Sequence, residues 1–404
     1  MKDTYRERIK EEQKKLSPQQ VFFSEGYQRL FQHLADEVAG EKLEQLLLYQ
    51  NASDGIAGWN DGKRIGINVD NTITGSFLEL EQKSDSLVGI LGHECGHARF
   101  TDSRLRRVYI QKMQAGTWYP DAPKPENEDE ESALTEMNTY LTKKDPAVLS
   151  LLTECASYIS NLLNDVYIEE KMCSLFPGSI KKGILVNRRR NVEWIPPLKE
   201  LLEGNPDPVS VFLKVLVQYA LRGYVNSWNM ESCEMLDTLN EVKQLVDLSV
   251  EADSDLIRYQ ATNRILLKMW KYFRKLLEEL KQECQEPEEN GEQQQETQEQ
   301  PPEKETPQEE QPGKESSDEP SEIEKWKAEA QENGCSEELT EEQQKKMESV
   351  MDKYLKELTE NLPAFIQESE AEEKALPDIE NARVIQVSKR IEDQKESTDE
   401  NSEL

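Results

Sequence analysis

The chain reads as an α+β protein dominated by helix, with one small antiparallel sheet, an acidic linker and a helical tail. Three observations carry this. Apolar residues recur at helical spacing through most of residues 1–282. A single stretch around Asn60-Asp61-Gly62 carries a hairpin signal. At residue 283 the composition turns abruptly to Glu, Gln, Pro and Ser. The expected organisation is a domain over 1–282, a linker over 283–322, and a helical C-terminal segment with a disordered end over 323–404.

Taken in order, "QQVFFSEGYQRLFQHLADEV" from Gln19 has the periodicity of an amphipathic helix. "GEKLEQLLLYQNASDG" is expected to continue as a further helix running into a loop. In "GIAGWNDGKRIGINVD" two short runs flank Asn60, Asp61 and Gly62, and "RIGINV" alternates as a strand does. Ser84 or Asp85 is placed to cap the next helix. Asp145, followed by Pro146 at a first-turn position, starts a long one that Pro177 and Gly178 end. "NRRRNVEWIPP" is expected in a loop, followed by helices near 208–223, 231–248 and 252–284. Past the linker, Thr340 and Gln343 stand at capping-box spacing before a helix that stops at Pro363.

The formal net charge of −32 makes nucleic acid and anionic membranes poor partners. The N-terminus lacks the apolar core of a secretory signal, and no run approaches the roughly 18 apolar residues of a membrane span, so a cytoplasmic protein is expected. The six cysteines form no C-x-x-C pair and fit free thiols. Residues 283–322 carry too little apolar surface to offset their ordering entropy.

The chemistry concentrates in "GILGHECGHARFTD", residues 89–102. His93 and His97 are one helical turn apart on one face, which lets two imidazoles share a tetrahedral zinc. Glu94 lies on a neighbouring face, within reach of a water at the metal. Two histidines four apart also occur as ordinary polar side chains. Here the chain has only three histidines, and two of them fall in this pattern. Leu87, Val88, Leu91, Cys95 and Ala98 form an apolar stripe that excludes both histidines. Gly89, Gly92 and Gly96 form a second stripe without side chains. Each glycine costs about 1 kcal/mol relative to alanine in a helix, so the three together ask for a compensating close approach.

A further ligand is narrowed by elimination. The metzincin pattern needs Gly at position 100 and His at 103, where this chain has Phe100 and Ser103. His33 reads as an ordinary helix residue. A carboxylate from "NLLNDVYIEE" is the better supplier, because Asn161, Asp165 and Glu169 run down the edge of the long helix's core face. Asp165 is the first choice and Glu169 the reserve. Whichever is not a ligand would orient a histidine. The same residues also fit a solvated helix margin.

The combination of "GWNDGKRIGIN", "LGHECGHARFTD" and "NLLNDVYIE" resembles the gluzincin-type metallopeptidase region of bacterial and phage proteins, often found ahead of a von Willebrand factor A domain. The resemblance covers roughly residues 50–180 and rests on Thr101, Asp102, Asn161, Asp165, Ile168 and Glu169 beside the H-E-x-x-H motif. Asn164 stands where many relatives carry Glu. No D-x-S-x-S motif of a von Willebrand factor A module occurs: either the protein lacks that module or the chain is a fragment.

The resemblance implies a zincin-like core. It also implies His93, His97 and Asp165 as Zn2+ ligands, and Asp102, Asn161 and Glu169 as groups supporting them. Glu94 would be general base on a zinc-held water whose pKa falls toward about 7. "RIGINV" resembles the edge strand on which zinc peptidases align an extended substrate, or is a plain hairpin strand. Tyr158, Tyr167 and Arg188, Arg189 and Arg190 are candidate oxyanion donors. The expected function is a zinc metallopeptidase acting on polypeptide. The alternative is a non-proteolytic, zinc-stabilised adaptor whose acidic linker and C-terminal helix recruit a protein partner such as an ATPase.

Overall fold

A computed structural model describes residues 5–8, 11–12, 15–39, 43–52, 56–204, 206–227, 232–285, 341–363 and 383–386. Helices α1 (Pro18–Phe22) and α2 (Glu25–Val38) precede strands β1 (Gln45–Tyr49), β2 (Gly58–Asn60) and β3 (Arg64–Asn68). Then come α3 (Thr72–Gly75), α4 (Leu80–Phe100), α5 (Ser103–Gln114), α6 (Glu128–Lys143), α7 (Pro146–Leu175) and α8 (Ser179–Glu193). The series closes with α9 (Leu198–Leu201), α10 (Pro208–Arg222), α11 (Glu234–Glu251), α12 (Asp255–Gln285), α13 (Glu341–Asn361) and strand β4 (Arg383–Gln386).

Helix predominates, as the periodicity predicts, but the sheet is mixed rather than antiparallel. Its order is β2-β3-β1-β4. β2 and β3 form the expected antiparallel hairpin, with Trp59 opposite Gly66, while β1 runs parallel to β3 with Leu46 opposite Ile65. The hairpin closes because Asp61 accepts from the amides of Lys63 and Arg64 at 3.0 and 2.7 Å, and Gly62 takes the left-handed φ of 86°. Burial alone would raise the Asp61 carboxyl. Those two amides and the Arg64 guanidinium outweigh it and hold the group below its usual range.

Strand β1 corrects the helix expected over "LEQLLLY". Leu46 and Leu48 enter the main core on one face, whereas Leu47 and Tyr49 join Trp59 in a small cluster on the other. A strand buried on both faces reads as an unbroken apolar run, which periodicity cannot distinguish from a buried helix. β3 lies between β1 and β2, so "RIGINV" is an interior strand and β2 is the free edge on that side among the described residues.

Two helix boundaries also differ from expectation. α4 begins at Leu80 rather than at a Ser84 or Asp85 cap, because "LEQK" before them is a run of good helix formers. Within the helix, Ser84 bonds the Tyr27 hydroxyl at 3.2 Å and Asp85 pairs with Lys182 at 2.8 Å. "NRRRNVE" is helical, forming the last half of α8, where an amphipathic face buries Asn187, Arg188, Asn191 and Val192. α7 starts as expected, with Asp145 accepting from the Val148 amide at 3.1 Å and Pro146 in the first turn.

α4 and α7 lie at the centre. The segment Ser86–Ala98 of α4 is buried all round, packed by α8, α7, α3 and the sheet. α7 is flanked by α4, α5, α11, α12 and α13. Met347, Met351 and Leu358 of α13 belong to the same core cluster, so this helix packs on the main body. Apart from Glu283, Cys284 and Gln285 at the end of α12, the acidic linker over 283–322 lies outside the described residues, as does Thr340. Among the described residues no helix is long and apolar enough to cross a membrane, and the cysteines are free thiols.

Candidate metal centre

The glycines of α4 set how closely its neighbours approach. A Cβ on Gly89 would stand 2.3 Å from the carbonyl carbon of Gly183, and one on Gly183 would stand 2.4 Å from the amide nitrogen of Gly89. α4 and α8 therefore cross with backbones in contact, the close approach that the stripe asks for. Gly92 faces Ile180, and Gly96 faces Ile168 and Met172 of α7. With no side chain at Gly96, α7 lies close enough for its edge residues to meet the histidines.

Those residues arrive in register. His93 and His97 present Nε2 atoms to each other at 3.1 Å, their rings near-perpendicular at 76°. Asp165 Oδ1 stands 3.1 Å from His97 Nε2. One ligand atom from each of His93, His97 and Asp165 lies within 4.8 Å of the others, and the group could hold a metal ion. Tetrahedral zinc with bonds of about 2.0–2.2 Å sets its ligands a little over 3 Å apart, close to the His93–His97 and His97–Asp165 separations of 3.1 Å.

The hydrogen bonds behind the ligands fit the same use. Glu169 Oε1 lies 2.8 Å from His93 Nδ1, and its other oxygen accepts from Arg188 Nε. Burial alone would raise the Glu169 carboxyl, but Arg188 and His93 hold it below its usual range. It is thus an ionised acceptor, so His93 carries its proton on Nδ1 and turns a lone pair toward the cluster from Nε2. His97 Nδ1 has two polar neighbours, Thr101 Oγ1 at 3.0 Å and Asn164 Nδ2 at 3.3 Å. Thr101 in turn accepts from Asn164 Nδ2 at 2.8 Å. Asp165 is fully buried, with Oδ2 accepting from Asn161 Nδ2 at 3.3 Å while Oδ1 accepts no hydrogen bond. Nε2 of both imidazoles and Oδ1 of a buried carboxylate thus converge, and with both rings in the Nδ1–H tautomer the arrangement is one that a cation stabilises.

Glu94 occupies the floor beneath the free edge of the sheet. Its Oε2 accepts from Asn60 Nδ2 at 3.0 Å, and its buried Oε1 makes no hydrogen bond. A Cβ on Gly58 would stand 2.8 Å from that Oε1, so glycine at 58 lets β2 lie over Glu94 without displacing its carboxylate.

Of the residues singled out in the sequence, His93, His97, Asp165, Asn161 and Glu169 come together. Asp165 and Glu169 divide the two roles left open for them, because Glu169 faces the far nitrogen of His93. Asp102 does not join them. It is exposed and accepts from the amides of Arg104 and Leu105 at 3.0 and 3.2 Å as the N-cap of α5. The short polar link between two helices makes it a cap, and the preceding Thr101 reaches His97 instead. His33 is exposed on α2.

Among the oxyanion candidates, Tyr167 donates to Asp253 at 3.0 Å and lies under Arg258. Arg188 is committed to Glu169 and Glu170, Arg190 lies over Phe77, and Arg189 is exposed. Tyr158 is buried with no hydrogen bond to its hydroxyl, and burial, then the Asp165 charge, pushes its pKa well up.

Four contributors lay beyond sequence reasoning. Gly58 and Asn60 enter through strand placement, and Asn164 through its position one residue before Asp165. Arg188 carried a signal, the arginine run, but not its helical setting. Comparison with protein-family models, with characterised proteins and with solved structures finds no match to this chain.

Proposed function

We propose that the protein is a zinc-dependent metallopeptidase that hydrolyses peptide bonds in polypeptide substrates. The observation that carries this reading is Glu94, a carboxylate with one oxygen anchored by Asn60 and the other unpaired, one residue from a ligand in a three-ligand group. Three protein ligands leave a coordination position open, as a catalytic rather than a structural zinc requires. Bound at His93, His97 and Asp165, zinc would acidify a water and polarise the scissile carbonyl.

Glu94 Oε1 is the atom suited to take the proton as that water's oxygen bonds to the carbonyl carbon. The same carboxyl would return the proton to the amine nitrogen as the C–N bond breaks. Among the described residues β2 is the free edge beside Glu94, where an extended substrate would add as a further strand. Tyr158, buried and with an uncommitted hydroxyl, is a candidate for oxyanion stabilisation.

A second reading, the zinc-stabilised adaptor, draws on burial. His93, Glu94, His97 and Asp165 are each 9% exposed or less, which suits a metal that holds helices together. Glu94→Gln separates the two. A peptidase keeps its zinc and loses hydrolysis of an unfolded polypeptide. An adaptor keeps both its zinc and its partner binding.

A further inference from the structure

We propose that Arg188 is a positioning residue for the metal centre, acting through Glu169 on His93. The proposal rests on the metal-binding reading above. Arg188 sits on α8, outside the H-E-x-x-H helix and outside the helix that supplies Asp165, and touches no ligand itself. Its side chain is 7% exposed and each guanidinium nitrogen bonds to α7: Nε donates to Glu169 Oε2, Nη1 to Glu170 Oε1 at 2.7 Å, and Nη2 to the Val166 carbonyl at 3.2 Å. Taking a guanidinium out of water is costly, and a buried ion pair is weak grounds for stability. What this pair accomplishes is geometric. With the guanidinium fixed by Glu170 and Val166, its Nε holds one oxygen of Glu169 and leaves the other against His93 Nδ1 at 2.8 Å.

The reach of Arg188 depends on the glycine contact. Gly183, five residues earlier on α8, meets Gly89 backbone to backbone, and Asn187 fastens the crossing by donating to the Ser86 carbonyl at 2.9 Å. The next residue is Arg188, which the crossing brings against the edge of α7. Three helices are thereby tied to one imidazole: α4 carries His93, α7 carries Glu169 and α8 carries the cation that fixes Glu169. A ligand-orienting carboxylate raises the basicity of its histidine and fixes the tautomer. Arg188 extends that chain by one step.

The test is metal affinity of the full-length protein, with zinc measured by chelator competition and cobalt by its visible absorption. The panel is wild type, Arg188→Gln, Arg188→Lys, Glu169→Gln and the Arg188→Gln/Glu169→Gln double variant, with melting of the metal-free proteins alongside. Arg188→Gln is expected to weaken zinc binding about 10- to 100-fold and to alter the cobalt band. Lysine keeps the charge but not the fork, and is expected to fall between. The double variant is expected to bind no more weakly than Glu169→Gln alone, because Arg188 has no route to the metal except through Glu169.

Full wild-type affinity in Arg188→Gln would overturn the proposal. So would a loss that adds in full to that of Glu169→Gln. Should Arg188→Gln fail to fold, Arg188→Lys carries the same test, and unaltered affinity and cobalt band in it would count against the role. Wild-type protein that takes up neither metal overturns the metal-binding reading and this proposal together, whereas tight wild-type binding with an indifferent Arg188 overturns this proposal alone.

Discussion

Asn60 holds Glu94: the amide Nδ2 at the end of β2 donates to Oε2 of the carboxylate at 3.0 Å, and nothing else anchors that carboxylate by hydrogen bond among the described residues. A residue in a hairpin thereby fixes the side chain at the centre of an H-E-x-x-H helix, 34 positions along the chain.

On the proposed function, replacing Asn60 by alanine should impair Glu94 as a base and leave His93, His97 and Asp165 in place. A hydrogen bond to a charged group contributes about 1.5–3 kcal/mol, and each 1.36 kcal/mol is tenfold in rate. A fall in kcat of about tenfold or more is expected, with zinc content unchanged. Steady-state kinetics with metal analysis of the same preparation would check it, and a loss of zinc in Asn60→Ala would tie Asn60 to metal retention instead.

The helix crossing at Gly89 and Gly183 makes a stability prediction whose sign opposes helix propensity. Alanine is favoured over glycine inside a helix by about 1 kcal/mol, yet a Cβ at Gly89 would lie 2.3 Å from a backbone carbon. Forcing the helices apart should leave Gly89→Ala and Gly183→Ala destabilised by about 1–3 kcal/mol or more in urea unfolding. Gly26, near the start of α2, has nothing within 4 Å of its missing Cβ, and Gly26→Ala should be neutral or slightly stabilising.

Much of the centre was legible because its spacing is helical. The interval of four between His93 and His97, and between Asp165 and Glu169, places each pair on one face whatever the tertiary fold. Helix-wheel logic also separated Cys95, which is fully buried and whose thiol burial pushes up, from the histidines. What spacing does not encode is which elements meet. Leu46, Leu47, Leu48 and Tyr49 form a strand because another strand pairs on each side, a fact about partners. Asn60 and Arg188 owe their roles to a sheet edge and a helix crossing respectively. Asp102 shows the converse, a polar residue beside the motif claimed by the start of the next helix.

Glu130 predicts a pH dependence away from the metal. It is buried on α6 and accepts from Arg264 Nη1 at 2.6 Å, Lys268 Nζ at 2.5 Å and the Glu126 amide at 2.8 Å. Burial alone would raise its pKa, but the bonds from Lys268, Glu126 and Arg264 outweigh it and hold the group below the ordinary 4.5. A carboxylate depressed on folding stabilises above its unfolded pKa, and that contribution is lost as pH falls through the folded value. Glu130→Gln should thus be destabilised by about 2–3 kcal/mol at neutral pH, with the gap from wild type narrowing below about pH 4.5. Unfolding free energies at several pH values would check it, and a gap that widens on acidification would refute the assignment.

The decisive property of this protein is the metal proposed to lie between α4 and α7. Mass spectrometry of wild-type protein purified without added metal is expected to find near-stoichiometric zinc, which His97→Ala and Asp165→Ala both abolish. A folded wild-type protein that carries no metal and takes up no zinc on titration would rule out a metal centre at His93, His97 and Asp165.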